Sequence, residues 1–301
     1  MNDSLIVSVI AAEGVTRIAD VVRKITRDFK SSGTVGTPIW LSPDRACDIP
    51  VSFASPELIE ILPHGFVHAG EGVDVNVLSP ANRRKKLLVA DMDSTIIGCE
   101  CLDELADMAH LKPQIAAITE QAMNGEIAFE PALRERVTLL KGLALTALER
   151  TYKERVKLNP GAKALVATMK KHGAHTCLVS GGFTYFTQRV AKDAGFDDNQ
   201  ANTLLDDGSR LTGEVKEPIL GREAKLSALK AEIDKLKIAP EESLAVGDGA
   251  NDLSMIQYAG LGVAYRAKPI VAEAAGAAIK YGDLRALLYL QGYSDADIVE
   301  G

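Results

Sequence analysis

The pattern of apolar and polar positions changes near residue 86 and divides the chain into two regions. In the first region, apolar residues at helical spacing predict a helix over 15–29, and Ser55-Pro56 predicts the start of a second helix that runs to Ile61. Strands are predicted over four ranges, which are 5–10, 38–41, 48–53 and 73–78. The resulting β-α-β-β-α-β order is typical of a ferredoxin-like α+β domain, which we assign to residues 1–82.

In the second region, residues 83–301, short apolar strands alternate with amphipathic helices. This alternation predicts a doubly wound, mostly parallel sheet of the Rossmann-like α/β class. After its first strand, a helical stretch over about 98–158 contains no strand pattern. Such an insertion at the carboxyl edge of the sheet predicts a helical cap above that edge.

Two carboxylates follow the first strand of this region. Leu87 to Ala90 are apolar, as expected for a strand that is covered on both faces, and Asp91 and Asp93 come directly after them. Side chains alternate along a strand, so both carboxylates leave on the same side. They can bind a hard cation, or they can divide the roles of nucleophile and proton donor.

Two later strands end in a similar way. The strand before Gly247-Asp248-Gly249 is followed by Asn251 and Asp252, and an apolar strand runs into Ser180-Gly181-Gly182. Glycines before a helix let the backbone approach an anion and offer free N–H groups. Each segment alone is typical of a turn, but three of them at strand ends indicate one site at the carboxyl edge of the sheet.

These segments resemble the motifs of a known family. Asp-Met-Asp-Ser-Thr at 91–95, Ser-Gly-Gly at 180–182, Lys225 and the segment 247–252 are similar to the four motifs of the haloacid dehalogenase-like phosphatases. The segments 100–106 and 132–137 are similar to those of the phosphoserine phosphatases within that family. The resemblance covers residues 85–292 and does not clearly extend to the first eighty.

The resemblance implies a role for each acidic motif residue. Asp91 is the expected nucleophile, which forms an aspartyl-phosphate, and Asp93 is the expected general acid and base. The expected cofactor is Mg²⁺, held by the Asp91 and Asp248 side chains and the Asp93 main-chain carbonyl, with Asp252 in a supporting position.

The resemblance also implies a phosphate site. Ser180 and the Gly181 backbone are expected to hold phosphate oxygens, and Lys225 to pair with the phosphate and Asp91. Asn251 is expected to lie next to the phosphate or next to the attacking water. If its spacing to Asp248 did not match that of the family, we would interpret Lys225 as an ordinary charged residue on a helix surface.

The predicted cap carries the expected specificity residues for phosphoserine. Glu100 suits the substrate ammonium, and Arg136 suits its carboxylate through a bidentate contact. Met123 and Phe129 match apolar cap positions that close over the substrate. The alternatives are a helix-start acid at 100, a surface ion pair at 136, and core packing at 123 and 129.

The composition limits the classes of partner and the compartment that we expect for this protein. The net charge of −7 argues against nucleic acid as a partner, and no apolar run approaches the length that spans a membrane. Four cysteines without a disulfide pattern, and a beginning without signal-peptide features, favour a cytoplasmic protein.

Other functions stay open at this point. The first domain weakly resembles ACT modules, which suggests packing, homodimerisation or amino-acid sensing, and the rest of the chain should fold and work without it. A different small phosphomonoester, phosphate transfer to an alcohol such as homoserine, and a phosphorylated signalling module are the alternatives to phosphoserine hydrolysis.

Overall fold

The computed structural model describes residues 4–30, 33–53, 71–123, 126–221 and 223–301. In the first region, one helix and five strands form two layers, with the helix packed on the sheet. The helix is α1 (Ile18–Phe29), and the strands are β1 (Ser4–Ala11), β2 (Gly33–Val35), β3 (Ile39–Ser42), β4 (Ala46–Phe53) and β5 (Val73–Leu78).

All strand pairs of this first sheet are antiparallel. The strand order is β2-β4-β1-β5, and β3 also pairs with β4. An antiparallel sheet covered by a helix is consistent with the predicted α+β class of this region. The apolar face of α1, including Ile18, Val22, Ile25 and Phe29, packs with buried valines and isoleucines of the sheet.

Two details of the first region differ from the sequence prediction. The helix begins at Ile18 rather than at residue 15, and β2 was not predicted because three residues are too few to show an alternating pattern. The helix predicted over 55–61 lies outside the described residues.

The described part of the second region contains eight strands. They are β6 (Leu87–Asp91), β7 (His175–Phe183), β8 (Asp198–Asn202), β9 (Leu204–Asp206), β10 (Leu211–Val215), β11 (Ser243–Gly247), β12 (Leu261–Tyr265) and β13 (Ala277–Ile279). Six of them form a fully parallel sheet in the order β13-β12-β11-β6-β7-β8, and β9 and β10 form a separate hairpin. The strand that ends in Asp91 therefore lies inside the sheet, between β11 and β7.

Ten helices accompany these strands within the described ranges. They are α2 (Cys101–Met108), α3 (Lys112–Met123), α4 (Phe129–Leu139), α5 (Leu145–Arg155), α6 (Ala162–Lys171), α7 (Thr184–Ala194), α8 (Ala224–Leu236), α9 (Leu253–Tyr258), α10 (Pro269–Ala274) and α11 (Ala286–Leu290). Helices α2 to α5 form the predicted insertion between β6 and β7.

The two chain segments that enter and leave this insertion are joined to each other. Ile97 and Leu158 form an antiparallel bridge, and the Gly98 N–H donates to the Lys157 carbonyl at 3.1 Å. The Asn159 side chain also donates to the Thr95 carbonyl at 2.7 Å. The base of the cap is therefore held next to the strand end that carries Asp91.

The two regions share a polar interface. The Asp74 carboxylate of β5 accepts backbone N–H groups of Lys280, Tyr281 and Gly282, at 2.8–3.2 Å. Burial raises the pKa of Asp74, and these three hydrogen bonds oppose that rise. Arg83 pairs with Asp48 and so ties the linker to the first sheet.

Among the residues described, none of the helices combines the length and the hydropathy needed to cross a membrane. All four cysteines are unpaired, and Cys177 is buried in the core.

Candidate active site

Asp91 forms an ion pair at the carboxyl edge of the parallel sheet. It is the last residue of β6 and is 4% exposed. Its Oδ1 lies 2.6 Å from Nζ of Lys225, at the start of α8, and the same Nζ lies 2.6 Å from Oδ1 of Asp252. One buried ammonium thus bridges two carboxylates from different loops.

Burial and neighbouring charges together set the pKa values of Asp91 and Lys225. Burial and the nearby Asp252 charge raise the pKa of Asp91 well above its ordinary value, and Lys225 opposes this. Burial alone would lower the pKa of Lys225, but the two carboxylates together raise it. Lys225 is therefore held as an ammonium, and the surplus negative charge lies on the carboxylates.

Asp91, Asp248 and Asp252 can share a cation. One carboxylate oxygen of each lies within 4.8 Å of the others. Burial, followed by the Asp252 charge, raises the pKa of Asp248 to about 6, while a hydrogen bond from the Thr95 hydroxyl at 3.2 Å opposes the rise. Oxygen donors of this kind fit Mg²⁺.

Asp252 accepts hydrogen bonds on both of its carboxylate oxygens. Its Oδ1 is engaged with Lys225, and its Oδ2 accepts the N–H groups of Asp248 and Gly249, at 3.2 and 3.0 Å. Both oxygens therefore already have donors. Asp252 orients the Asp248 loop and Lys225, which leaves Asp91 and Asp248 as the better direct ligands.

Asp93 is fixed by contacts on both of its oxygens. Oδ1 accepts the Cys101 N–H at 2.8 Å, and Oδ2 accepts the Ser180 hydroxyl at 3.0 Å. Burial raises the pKa of Asp93, and these hydrogen bonds partly oppose the rise. A carboxyl that is held in place and favoured in its protonated form suits a proton donor.

The Ser180 loop depends on a glycine. The Gly182 N–H donates to Ser180 Oγ at 2.8 Å. A Cβ at position 182 would lie 3.0 Å from that hydroxyl and 3.1 Å from Asp93 Oδ2, closer than ordinary van der Waals contact. A Cβ here would require Ser180 or Asp93 to shift by a few tenths of an ångström, so glycine favours this close approach of the loop to Asp93.

Asn202 is a structural residue of the site that sequence reasoning missed. Its side chain donates to the Gly181 carbonyl at 2.9 Å and accepts the Leu220 N–H at 2.7 Å. It therefore joins the glycine loop to the segment just before Lys225. The available signal was a polar residue at the end of a strand, but β8 itself was not recognised.

Glu100 lies at the entrance of the cap, immediately before α2. The Ser94 hydroxyl donates to its Oε1 at 2.6 Å, and Ser94 itself has a positive φ of 55°. Glu100 is exposed as a residue, yet partial desolvation of its carboxyl, with the charges of Asp93 and Asp248, raises its pKa to about 7. The role of Ser94 in holding this carboxylate was also missed from the sequence.

Arg136 lies on α4, on the cap. Its guanidinium donates to the Ala132 carbonyl at 3.2 Å and to the Thr119 hydroxyl at 3.4 Å. Burial lowers the pKa of Arg136, and the charges of Asp103 and Glu100 oppose this. Arg136 is thus partly desolvated and lies within electrostatic reach of Glu100.

The remaining predicted residues differ in how far the structure describes them. Phe129, the first residue of α4, contacts the glycine loop: its ring lies 3.5 Å from where a Gly181 Cβ would be. Asn251 is exposed in the turn that also contains Asp252. Met123 ends α3, and its side chain lies outside what the structure describes.

Comparisons with known proteins identify the family of this chain. Residues 88–257 match the family model described as haloacid dehalogenase-like hydrolase. A phosphoserine phosphatase from Polaromonas sp. is 46% identical over 226 residues, which are 73% of this chain and 96% of that protein.

Two solved structures are also similar. A HAD family hydrolase from Salmonella enterica subsp. enterica serovar Typhi has a TM-score of 0.83 and 29% identity, over 97% of this chain and 99% of that one. A phospho-aspartyl intermediate analogue of phosphoserine phosphatase has a TM-score of 0.63 and 38% identity, over 68% of this chain and 98% of that one. The predicted fold class, an α/β sheet with a further N-terminal sheet, is confirmed.

Proposed function

Since the chain belongs to the haloacid dehalogenase-like hydrolase family, we propose that it hydrolyses O-phosphoserine to serine and phosphate. This reaction would make it the last enzyme of serine biosynthesis. The relative from Polaromonas is named a phosphoserine phosphatase, and 73% of this chain aligns with it.

The observation that carries the proposal is the bridge from Lys225 to Asp91 and Asp252. It places a buried carboxylate, a fixed ammonium and further acidic oxygens at one point of the sheet edge. An ammonium in this position can neutralise a phosphate oxygen while it keeps Asp91 oriented. Two cap residues of opposite charge support the proposal, because Glu100 is within electrostatic reach of Asp93 and Asp248, and Arg136 is within electrostatic reach of Glu100.

The covalent step is assigned to Asp91. One of its carboxylate oxygens attacks phosphorus, an aspartyl O–P bond forms, and the bond from phosphorus to the serine oxygen breaks. The Asp93 carboxyl gives its proton to the departing serine oxygen. Its hydrogen bonds with Ser180 and Cys101 support this role, because they hold the carboxyl in one place.

The second step releases phosphate. Asp93, now a carboxylate, takes a proton from water, and the water oxygen attacks the phosphorus of the aspartyl-phosphate. The O–P bond to Asp91 breaks and the carboxylate is regenerated. Asn251 is assigned to the side of the phosphate or the water, and Ser180 with the Gly181 backbone to the phosphate oxygens.

Mg²⁺ is the proposed cofactor. The Asp91 and Asp248 side chains and the Asp93 carbonyl would hold it, and Asp252 would support them. When bound, the ion neutralises charge on phosphate oxygens that face several carboxylates. Activity should be lost in EDTA and restored by Mg²⁺, and Ca²⁺ should inhibit because it accepts looser coordination.

The proposed selectivity for phosphoserine rests on the cap. Glu100 pairs with the substrate ammonium and Arg136 with its carboxylate, while Phe129 and Met123 provide apolar contacts. Burial lowers the pKa of Arg136, and the negative charge of Glu100 opposes this. This electrostatic coupling supports a shared binding space in which the two side chains contact the two charges of a zwitterion.

A substrate panel tests the function. Phosphoserine, phosphothreonine and an aryl phosphate are assayed with Mg²⁺ and with EDTA, and kcat/KM should be highest for phosphoserine. Equal rates for all three would favour a general phosphomonoesterase. Products formed in the presence of homoserine are also analysed, since phosphohomoserine would instead identify a phosphotransferase.

Two further predictions remain for this chain. Homodimerisation through the N-terminal domain is one, and chromatography with light scattering tests it. A cytoplasmic location is the other, and fractionation of cells that express the native chain tests it.

A further inference from the structure

A second cluster of metal-ligating side chains lies at the opposite edge of the parallel sheet. His175 begins β7 and Asp198 begins β8, while Glu232 projects from α8. Val179, the partner of Asp91, lies four residue steps along β7 from His175, so the two edges are about 13 Å apart. The cluster takes no part in the proposed phosphatase reaction.

The spacing of the three side chains fits a shared cation. His175 Nε2 lies 3.3 Å from Asp198 Oδ2 and 3.4 Å from Glu232 Oε2, and one donor atom from each residue lies within 4.8 Å of the others. Ligands about 2.0–2.2 Å from a tetrahedral ion lie roughly 3.3–3.5 Å apart. The distances from the imidazole to each carboxylate match that separation.

Burial provides the second observation. Glu232 is 5% exposed, and its Oε2, which forms an ion pair with Lys235 at 3.1 Å, is buried without a hydrogen-bond partner among the described residues. His175 Nε2, which faces it, is likewise buried without one. Buried polar atoms in native proteins nearly always have a partner, so a pair of facing exceptions requires an explanation.

Lys235 is a cation that competes for the carboxylates of the cluster. Lys235 is half-exposed, and its Nζ lies 3.0 Å from Asp198 Oδ2 and 3.1 Å from Glu232 Oε2. A flexible ammonium at the solvent side of these carboxylates can be displaced by an ion that binds all three ligands. On the other side of the ring, His175 Nδ1 lies 3.6 Å from Asp197 Oδ2, a carboxylate suited to orienting a metal-bound imidazole.

We propose that His175, Asp198 and Glu232 form a second cation site, for a transition-metal ion of the Zn²⁺ type. One imidazole nitrogen and two carboxylate oxygens are a donor set that suits Zn²⁺ better than Mg²⁺, and solvent completes the coordination. The ion would join the amino ends of β7 and β8 to α8, the helix that also carries Lys225.

The experiment is a calorimetric titration of the tag-free, EDTA-treated and dialysed full chain with Zn²⁺. Excess Mg²⁺ is present throughout to occupy the acidic edge near Asp91. The wild type should bind one more Zn²⁺ per chain than His175→Ala or Glu232→Gln, whose affinity at this site should fall more than about 100-fold. His110→Asn, an exposed histidine of the cap, is the matched control and should bind like the wild type.

Lys235→Ala separates a metal site from a plain ion-pair cluster. Removing the competing ammonium should tighten Zn²⁺ binding, whereas a cluster that is only a salt-bridge network should lose stability and gain no affinity. Zn²⁺ should also raise the melting temperature of the wild type and leave that of Glu232→Gln unchanged. Equal Zn²⁺ stoichiometry in the wild type and Glu232→Gln would overturn the proposal, whatever the phosphatase assays report.

Discussion

The side chain of Asn76 makes two hydrogen bonds with the backbone of Ala278. Its amide donates to the Ala278 carbonyl at 3.1 Å, and its carbonyl accepts the Ala278 N–H at 2.8 Å. Asn76 lies on β5 of the first sheet, and Ala278 lies on β13, at the edge of the parallel sheet. The Asn76 amide thus makes the hydrogen bonds to the backbone of this edge strand that a neighbouring strand would otherwise make.

This contact predicts that the two sheets depend on each other for stability. Asn76 is fully buried, so Asn76→Ala leaves a donor and an acceptor of β13 without partners. We expect the free energy of unfolding to fall by about 2–4 kcal/mol, measured by urea denaturation. Asn82→Gly, at an exposed position with positive φ, is the control and should change stability much less.

The same interface bears on the prediction that the rest of the chain folds and remains active when its first eighty residues are deleted. Deletion would remove the partners of Ala278 and of the 280–282 backbone together. We expect the shortened chain to retain the sheet-edge chemistry but to melt at a lower temperature. Unchanged stability after deletion would mean that the interface contributes nothing, and the Asn76 prediction would fail with it.

Asp91→Asn should abolish turnover and leave the fold intact. An amide cannot form the aspartyl-phosphate, and we expect kcat to fall by roughly 10⁴-fold or more. Circular dichroism and thermal melting check the fold, and freshly purified protein avoids deamidation back to aspartate. Phosphoserine hydrolysis near the wild-type rate by this variant would remove Asp91 from the mechanism.

Gly182→Ala should impair catalysis more than folding. The new methyl group would press on the Ser180 hydroxyl and on Asp93 Oδ2, so the general acid would move from its position. The neighbours would have to shift by a few tenths of an ångström. Since a misplacement of about 1 Å can cost roughly 100-fold in rate, we expect kcat to fall by about 3- to 10-fold. Gly276→Ala is the control, because its nearest neighbour would be 3.6 Å away in ordinary contact. Equal activity of the two variants would show that the Ser180 loop tolerates the displacement.

Arg136→Ala should discriminate between substrates. Loss of a desolvated partner of the substrate carboxylate typically costs about 2–5 kcal/mol, or roughly 30- to 5,000-fold in kcat/KM for phosphoserine. An aryl phosphate lacks that carboxylate and should be affected little. The comparison of kcat/KM for both substrates is the measurement.

Arg134→Ala is the matched control for this experiment. Arg134 is an exposed residue of the same helix that pairs with the exposed Glu217, so neither substrate should be affected. Equal losses for both substrates in Arg136→Ala would mean that Arg136 organises the cap rather than binding the substrate.

The sequence by itself determined the elements that local patterns encode. Apolar runs that end in Asp91, Ser180 and Asp248 predicted parallel strands with a site at their carboxyl ends, because each run and its polar end are contiguous. It also predicted the helical insertion. It did not reveal β8, since Asp-Asn-Gln-Ala-Asn at 198–202 is a partly exposed outer strand without an apolar run.

Only the tertiary structure decided which distant groups meet. The bridge from Lys225 to Asp91 and Asp252, the link from Asn202 to the glycine loop, and the docking of Asn76 on Ala278 join residues far apart in the chain. The cluster at His175 likewise draws on two strands and a helix. Periodicity and motif spacing report on one element at a time, whereas these contacts arise from the packing of elements against each other, which no local pattern records.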